Sequence, residues 1–170
     1  MGYVNLKDIC KFISPAEMQK TAGTWTPTIS THLVYESRTA AAAGFYVMIP
    51  VKLPASNGKK QGGKILSVDI WYKVVIQAMT DFADVVVKKL TLSANGVAVS
   101  GAAYTAFSLD ADHDTAAERK TVGDHKMTIT FTDKPYLEDD EVLYILLSVE
   151  GGASGVFNIY GAQANFELKL

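Results

Sequence analysis

Alternation of apolar and polar residues with a period of two runs through most of this chain and constrains its fold more than any other feature. Between positions 65 and 77 every even residue is apolar, while the odd positions include serine, aspartate, lysine and glutamine. The alternation recurs over 125–132, 45–53 and 156–168. Because successive side chains of a strand point to opposite faces, each segment predicts a strand with one buried face and one wet face.

Further segments complete an all-β pattern. Leu143–Val149 is apolar on both faces, which is typical of a central strand, and Val85–Leu92 and Tyr104–Leu109 predict two more strands. One or two strands are expected between Thr24 and Ser37, and the glycine-rich stretch Gly151–Gly155 predicts an antiparallel pairing of the last two strands. About eight strands without a helical pattern of ten residues predict an antiparallel β-sandwich, most simply an eight-stranded jelly roll. An immunoglobulin-like sandwich is the alternative, although its Cys…Trp…Cys framework is absent.

Residues 1–23 differ from the rest, so we predict an N-terminal arm followed by one β-sandwich domain over residues 24–170. Ser14–Glu17 combines an N-cap serine, a proline at the first helical position and a capping-box glutamate. These residues predict a short helical turn. The arm is therefore expected to contain one or two helical turns.

The same arm carries apolar residues at helical spacing. Such a segment, if it orders on contact, can bury a large area against a partner. The predicted partner-binding residues are Tyr3, Leu6, Ile9, Phe12 and Ile13.

Charge and apolar content exclude several partners. Sixteen Lys and Arg against eighteen Asp and Glu give the 170 residues a formal charge of −2. Nucleic-acid binding and polybasic membrane anchoring both need a concentrated positive field, and no apolar run approaches the ~18–20 residues of a membrane span. Met1–Asp8 lacks the apolar run of a secretory signal, and Cys10 is the only cysteine, so synthesis in a reducing cytoplasm without an internal disulfide is expected.

Asp110, Asp112 and Asp114 have the spacing of the first three ligands of a calcium-binding EF-hand loop. The match ends at Thr115 and Thr121, where that loop needs glycine and glutamate. One hypothesis is a calcium site completed by residues elsewhere. The other is a solvated loop whose aspartates cap turns and an N-capped helical turn over 114–118. No other cofactor is expected.

Catalytic signatures are absent from the pattern. The histidines His32, His113 and His125, with one cysteine far from all three, do not give the ligands of a zinc site. The acidic run Glu138–Glu141 is typical of a solvated turn rather than of two carboxylates facing each other across a cleft. We therefore expect no enzyme; a jelly-roll hydrolase is the third hypothesis.

The two tryptophans are the remaining candidates. Trp71 falls on the polar face of the strand over 65–77, and Trp25 lies near the end of the arm. Exposed aromatic rings stack on sugars or become buried at subunit interfaces, whereas burial under a loop is the structural alternative. Both residues are candidate ligand or interface aromatics.

Three stretches carry a resemblance to a known group of proteins: Leu109–Thr128, Val68–Lys73 and Ile159–Ala162. They resemble small single-domain β-sandwich proteins encoded by tailed phages and environmental viral genomes. The resemblance implies a capsid decoration (cement) protein or another virion surface protein, made in the host cytoplasm and located in the virion. It also implies contact with a major capsid or other virion protein, and self-association as a homo-oligomer, with a trimer expected by analogy.

The alternative hypothesis is a glycan-binding module used for adhesion. It would bind sugars with exposed aromatic rings, with calcium in the Asp110–Asp114 loop as an optional aid. This hypothesis predicts a cleft or platform that contains Trp71 or several tyrosines.

Overall fold

Two antiparallel sheets pack face to face and form a β-sandwich, which confirms the predicted fold class. The computed structural model describes residues 6–30, 32–53, 63–91, 100–138 and 140–169. Tyr3 lies outside these residues. Within them, no helix has the length and apolar character needed to cross a membrane.

The strands are numbered here in chain order. They are β1 (Leu6–Ile13), β2 (Gln19–Lys20), β3 (Trp25–Ile29), β4 (Val34–Arg38), β5 (Gly44–Val51), β6 (Gly63–Val75), β7 (Asp81–Thr91), β8 (Ser100–Tyr104), β9 (Phe107–Leu109), β10 (Gly123–Phe131), β11 (Tyr136–Leu137), β12 (Glu141–Glu150) and β13 (Val156–Lys169). A 3-10 turn covers Pro15–Glu17, and the short helix α1 covers Ala116–Arg119.

The hydrogen-bonding order of the two sheets is that of a jelly roll. The large sheet has the order β3-β4-β13-β6-β10-β9, with β1 added on β13 and β11 on β6. The small sheet has the order β2-β5-β12-β7-β8. From β4 to β13 the chain passes back and forth between the sheets, and it places strands that are distant in sequence side by side. The predicted eight-stranded jelly roll therefore corresponds to β4-β13-β6-β10 facing β5-β12-β7-β8, with the other strands added at the edges.

The core lies between the sheets and is built from the apolar positions of the period-two segments. In β5 every second residue from Phe45 to Val51 is buried, and the intervening residues face outward. Tyr72 of β6 and Phe157 of β13 stack in the core, with ring centroids 5.3 Å apart. Each strand thus has one face in the core and one outer face, and these outer faces present the side chains available for binding.

The predicted helical stripe in the arm is wrong. Residues Leu6 to Ile13 form β1, which pairs with β13 along its whole length, from Leu6 opposite Lys169 to Ile13 opposite Ala162. An eight-residue helix is marginal in water, whereas the open side of β13 offers a complete ladder of backbone partners. The helical turn predicted at Ser14–Glu17 is confirmed as the 3-10 turn, in which the Glu17 carboxylate accepts a hydrogen bond from the Ser14 N–H.

Two strand predictions are also corrected. The segment 104–109 is not one strand: Tyr104 ends β8 in the small sheet, and Phe107 begins β9 in the large sheet. The strands β12 and β13 do not pair, because the linker 151–155 carries the chain from the small sheet to the large sheet. A glycine-rich linker has the same composition whether it closes a hairpin or crosses between sheets, so composition alone did not distinguish the two.

Candidate binding groove on the small sheet

The outer face of the small sheet is apolar in its middle. Tyr46, Met48 and Pro50 point outward from β5, and Tyr144 and Leu146 point outward from β12. Tyr46 is 47% exposed, and the other four are partly buried. A solvent-facing sheet surface is ordinarily polar, so this face differs from the usual pattern.

The register between strands places these residues in adjoining rows. Leu146 lies opposite Met48, and Tyr144 lies opposite Pro50. On its other side β12 pairs with β7, so that Lys88 lies opposite Tyr144 and Val86 opposite Leu146. Directly opposed residues on one face have Cβ atoms about 4.5–5.5 Å apart, so each row forms a continuous contact surface.

Surface depressions lie along this face. One of about 290 Å³ is lined by Lys11, Glu17, Gln19, Met48, Pro50, Lys52 and Tyr144. A second, of about 160 Å³, is lined by Gln19, Thr21, Tyr46, Met48 and Leu146. These two depressions share Gln19 and Met48. A third depression, of about 270 Å³, is lined by Tyr46 and extends to Asp81, Ser148 and Glu150. We call these three neighbouring depressions, which together extend from Tyr144 to Tyr46 and Glu150, the groove.

The wall of the groove is formed by the segment between β1 and β3. Thr21 is tied to β5 through two hydrogen bonds to Tyr46, one from its own N–H to the Tyr46 carbonyl and one accepted by its hydroxyl from the Tyr46 N–H, both 3.0 Å. The Glu17 carboxylate accepts a hydrogen bond of 2.8 Å from the Ser14 N–H, and this bond lowers the pKa of Glu17. Glu17 is therefore an ionised, hydrogen-bond-accepting group at the edge of the groove.

Trp25 is partly buried and packs against the core, and its role as a ligand or interface aromatic stays a prediction. Its ring packs edge-on against Phe45 and Phe157, with centroids 5.6 Å and 6.5 Å away. Its indole nitrogen is buried and has no hydrogen-bond partner among the described residues. Packing against these two rings is sufficient to account for a tryptophan at this position.

Trp71 lies half-buried on the outer face of the large sheet, as the alternation predicts. The Lys126 ammonium lies 5.7 Å from its ring centroid and 3.5 Å from Asp69 Oδ2. None of the three depressions is lined by Trp71. The face around it is polar, with side-chain hydrogen bonds from Gln163 to Asn165 and from Asn165 to Ser67.

Two of the predicted partner-binding residues of the arm, Ile9 and Ile13, pack at least partly inside the chain. Ile13 is fully buried in the core, and Ile9 is partly buried. Phe12 is 58% exposed, and its ring lies over Gly161 of β13. The backbone of Leu6 pairs with β13. The docking role of these residues stays a prediction, since no partner is present.

The aspartate loop does not bring its three carboxylates together as ligands. Asp110 accepts hydrogen bonds from the Thr128 and Asp112 N–H groups and contacts His113 Nδ1 at 2.6 Å. Asp114 is exposed, and a hydrogen bond with Glu118 raises its pKa. Within the described part of the chain, no group of three or more His, Cys, Asp or Glu residues is arranged to hold a metal ion.

The loop instead anchors a buried polar network. His113 Nε2 lies 3.2 Å from His125 Nδ1, and His125 Nε2 lies 3.0 Å from the Thr121 carbonyl. Burial raises the pKa of the Asp110 carboxyl, but the hydrogen bonds from Thr128 and His113 outweigh burial and lower it overall. Thr115 caps α1 by accepting a hydrogen bond from the Glu118 N–H, which confirms the predicted capped helical turn.

Comparisons with known proteins find similar chains among solved structures. No protein-family model and no curated protein matches the sequence. The structure is similar to a family 11 carbohydrate-binding module from Clostridium thermocellum in complex with a β-1,3-1,4-mixed-linked tetrasaccharide, at 14% identity and a TM-score of 0.38, covering 96% of this chain and 89% of the module. It is also similar to carbohydrate-binding modules of the β-sandwich superfamily described as promiscuous in specificity (9% identity, TM-score 0.36, 92% of this chain and 54% of the other).

A third similar structure is the enzymatically active domain of tailspike protein 4 from bacteriophage CBA120. The identity is 10% and the TM-score 0.32, with 94% of this chain and 19% of the tailspike chain covered. All three TM-scores are below 0.5, and no role is assigned to this chain from these likenesses. The sequence resemblance to phage decoration proteins therefore stays a prediction.

Proposed function

We propose that this protein is a non-catalytic glycan-binding module that holds an oligosaccharide along the groove of the small sheet. The main observation behind this proposal is that Tyr46 and Tyr144 point outward from the small sheet beside an apolar surface formed by Met48, Pro50 and Leu146. A contiguous apolar strip on the outer face of a sheet is typical of an interaction site, whereas single exposed apolar residues are common on any surface.

The chemistry of the groove suits a sugar chain. A sugar ring has an apolar C–H face that packs on a tyrosine ring, and its hydroxyl groups need hydrogen-bonding partners at the edges. The groove offers both, with polar side chains of Gln19, Thr21 and Ser148 beside the tyrosines. Ligand sites of this kind combine an apolar lining with a few placed polar groups.

The length of the groove favours an oligosaccharide over a single sugar. Tyr144 lies opposite Pro50, and Tyr46 lies four residues before Pro50 on the same face of β5. At the rise of a β-strand, the two tyrosines are roughly 14 Å apart along the strand direction. Two aromatic contacts at this distance would engage different units of one chain.

A glycan array followed by calorimetric titration tests this proposal. We expect binding of at least one oligosaccharide, and we expect Tyr46→Ala and Tyr144→Ala each to weaken it by about tenfold or more, since each truncation removes about 1–2 kcal/mol of stacking. Trp71→Ala is the matched control, because Trp71 is a partly buried aromatic on the outer face of the other sheet. It should bind as the wild type does.

Three results would count against the groove. Absence of binding to every glycan on the array would refute the proposal. Wild-type affinity in both tyrosine variants, or loss of binding only in Trp71→Ala, would place the sugar elsewhere.

A virion surface protein is the second candidate function, and a different surface favours it. The β3–β4 hairpin carries exposed apolar residues at its tip, where Ile29 is 81%, Leu33 53% and Val34 58% exposed. Ile29 and Val34 are directly paired across the hairpin. This tip is a separate apolar feature from the groove, and contact with a second copy or with a virion protein would cover it.

The native mass of the protein tests this second function. Light scattering should give a homo-oligomer, with a trimer expected by analogy, and Ile29→Ser with Val34→Ser should reduce it to a monomer. A wild-type monomer would exclude self-association through the hairpin. Double substitution of Tyr46 and Tyr144 to Ala is the control that leaves the hairpin intact.

A further inference from the structure

We infer that the groove selects acidic glycans, and that it binds a sugar carboxylate at the end marked by Tyr144. This inference rests on the proposed glycan-binding function and adds the class of sugar. It depends on the distribution of charged side chains along the groove rather than on its aromatic residues.

The Tyr144 end of the groove is cationic. Lys11 and Lys52 line the same depression as Tyr144, and Lys88 lies directly opposite Tyr144 on β7. Lys52 and Lys88 are exposed, and the ion pairs of the described residues include none of these three lysines. We call Lys11, Lys52 and Lys88 the cationic end.

One carboxylate opposes this charge. Glu17 lines the same depression and interacts electrostatically with Lys11, but it also accepts the Ser14 hydrogen bond. Three lysines against one glutamate leave an excess of positive charge, although the chain as a whole carries −2. The positive charge at this end is opposite in sign to the net charge of the chain. It lies beside Tyr144 and the depression that Tyr144 lines.

The opposite end of the groove is acidic. Asp81 and Glu150 line the depression that includes Tyr46, and Asp84 lies opposite Ser148 on the same face. The Asp81 carboxylate accepts a hydrogen bond from the Phe82 N–H, so one of its oxygens is engaged within the chain. The groove is thus electrically asymmetric, and this asymmetry would orient a sugar chain that carries carboxylates.

Lysine ammonium groups fit this role. Each is a compact charge on a flexible stem with three donors, so it can reach a carboxylate without a fixed bidentate geometry. Neutral sugars can accept hydrogen bonds from these ammonium groups but gain no charge–charge attraction from them, and the acidic end would not repel neutral sugars. The cationic end is therefore specific for uronic-acid units stacked at Tyr144.

Paired oligosaccharides test the inference. Tetrasaccharides of galacturonate, mannuronate and hyaluronan are titrated beside their carboxyl-reduced counterparts, which are neutral and otherwise matched, together with neutral glucan tetrasaccharides. We expect at least one acidic form to bind about tenfold more tightly than its reduced counterpart at low salt. The preference should largely disappear near 1 M salt, where the screening length falls to about 3 Å.

Variants assign the preference to the cationic end. Lys52→Met with Lys88→Met should remove the preference for the acidic forms, so that acidic and reduced forms bind with similar affinity. Lys126→Met is the control, because Lys126 is an exposed lysine on the large sheet. It should retain the preference.

The outcomes separate the two proposals. Equal binding of acidic and reduced forms, or binding of neutral glucans alone, would overturn the acidic specificity and leave the groove as a glycan site. Binding of no acidic or neutral oligosaccharide would overturn both. A preference for acidic forms that survives in the Lys52/Lys88 double variant would also overturn the assignment to the cationic end.

Discussion

The rings of Tyr72 and His125 stack face to face, with centroids 4.6 Å apart and planes within 5° of each other. Tyr72 also stacks on Phe157 and donates a hydrogen bond of 2.9 Å from its hydroxyl to the Arg119 carbonyl. Burial raises the pKa of the Tyr72 hydroxyl, so it remains a donor throughout the physiological range. The imidazole is thus the outer member of an aromatic stack that continues into the core.

The position of His125 in this stack makes the free energy of unfolding depend on pH. Burial lowers the pKa of His125, His113 adds to this effect, and the Thr121 carbonyl opposes it. As the pH falls, His125 therefore takes up a proton near pH 6.5 in the unfolded chain and only at a lower pH in the folded chain. The stabilising contribution of neutral His125 is complete above pH 6.5 and decreases as the pH falls through the pKa of His125 in the folded chain. Urea unfolding at pH 7.5, 6.5 and 5.5 should show a decreasing free energy of unfolding.

Replacing the histidine identifies its share of this pH dependence. His125→Gln should flatten the decrease between pH 7.5 and 5.5, whereas His32→Gln, at an exposed histidine, should leave the profile unchanged. The same slope in His125→Gln and in the wild type would assign the dependence to another group.

Removal of β1 is expected to destabilise the sandwich. Deletion of residues 1–13 removes eight residues paired with β13, and it removes the fully buried Ile13. The loss of Ile13 alone should cost about 2–4 kcal/mol, and the exposed edge of β13 should promote aggregation. Thermal unfolding with light scattering measures both effects. An unchanged melting temperature in a monodisperse sample would instead support a detachable docking arm.

Arg119 links two segments of the chain through their main-chain carbonyl groups. It is 5% exposed, and its guanidinium donates to the carbonyls of Phe82, Ala83, His113 and Asp114 at 2.9–3.3 Å. Arg119→Met should lower the free energy of unfolding by about 2–4 kcal/mol, because it leaves several partly buried carbonyls without a donor. Lys126→Met, at an exposed lysine, should change it by about 0.5 kcal/mol or less. Equal effects of the two substitutions in urea unfolding would contradict this role.

The fold was predictable from sequence because period-two alternation is a local property. The capped turns at Ser14–Glu17 and Thr115–Glu118 were predictable for the same reason. The groove was not, because Tyr46 and Tyr144 are almost a hundred residues apart in sequence and share one face of the small sheet only through the β5–β12 register. One signal was available: the central strand over 143–149 is apolar on both faces, although one face of each sandwich sheet points outward. Apolar residues at outward positions, such as Tyr144 and Leu146, are typical of a surface that binds a ligand or a partner.

Gly161, the single glycine of β13, is expected to tolerate substitution poorly. It has a φ of 141° and lies at a register irregularity, next to the point where the outer partner of β13 changes from β4 to β1. An added Cβ would lie 2.5 Å from Phe12 Cζ and 3.0 Å from the Ile13 carbonyl oxygen. Gly161→Ala should therefore destabilise the protein by about 1–3 kcal/mol through backbone strain and displacement of β1.

Gly44 provides the matched control for this substitution. A Cβ at Gly44 would meet no atom within 4 Å, so Gly44→Ala should change the free energy of unfolding by about 0.5 kcal/mol or less. Combining Gly161→Ala with Phe12→Ala should restore part of the loss, since the ring contact is removed while the strained φ and the Ile13 contact remain. Full stability in Gly161→Ala alone would mean that β1 can shift along β13 at little cost, and the docked position of Phe12 would then not be fixed by Gly161.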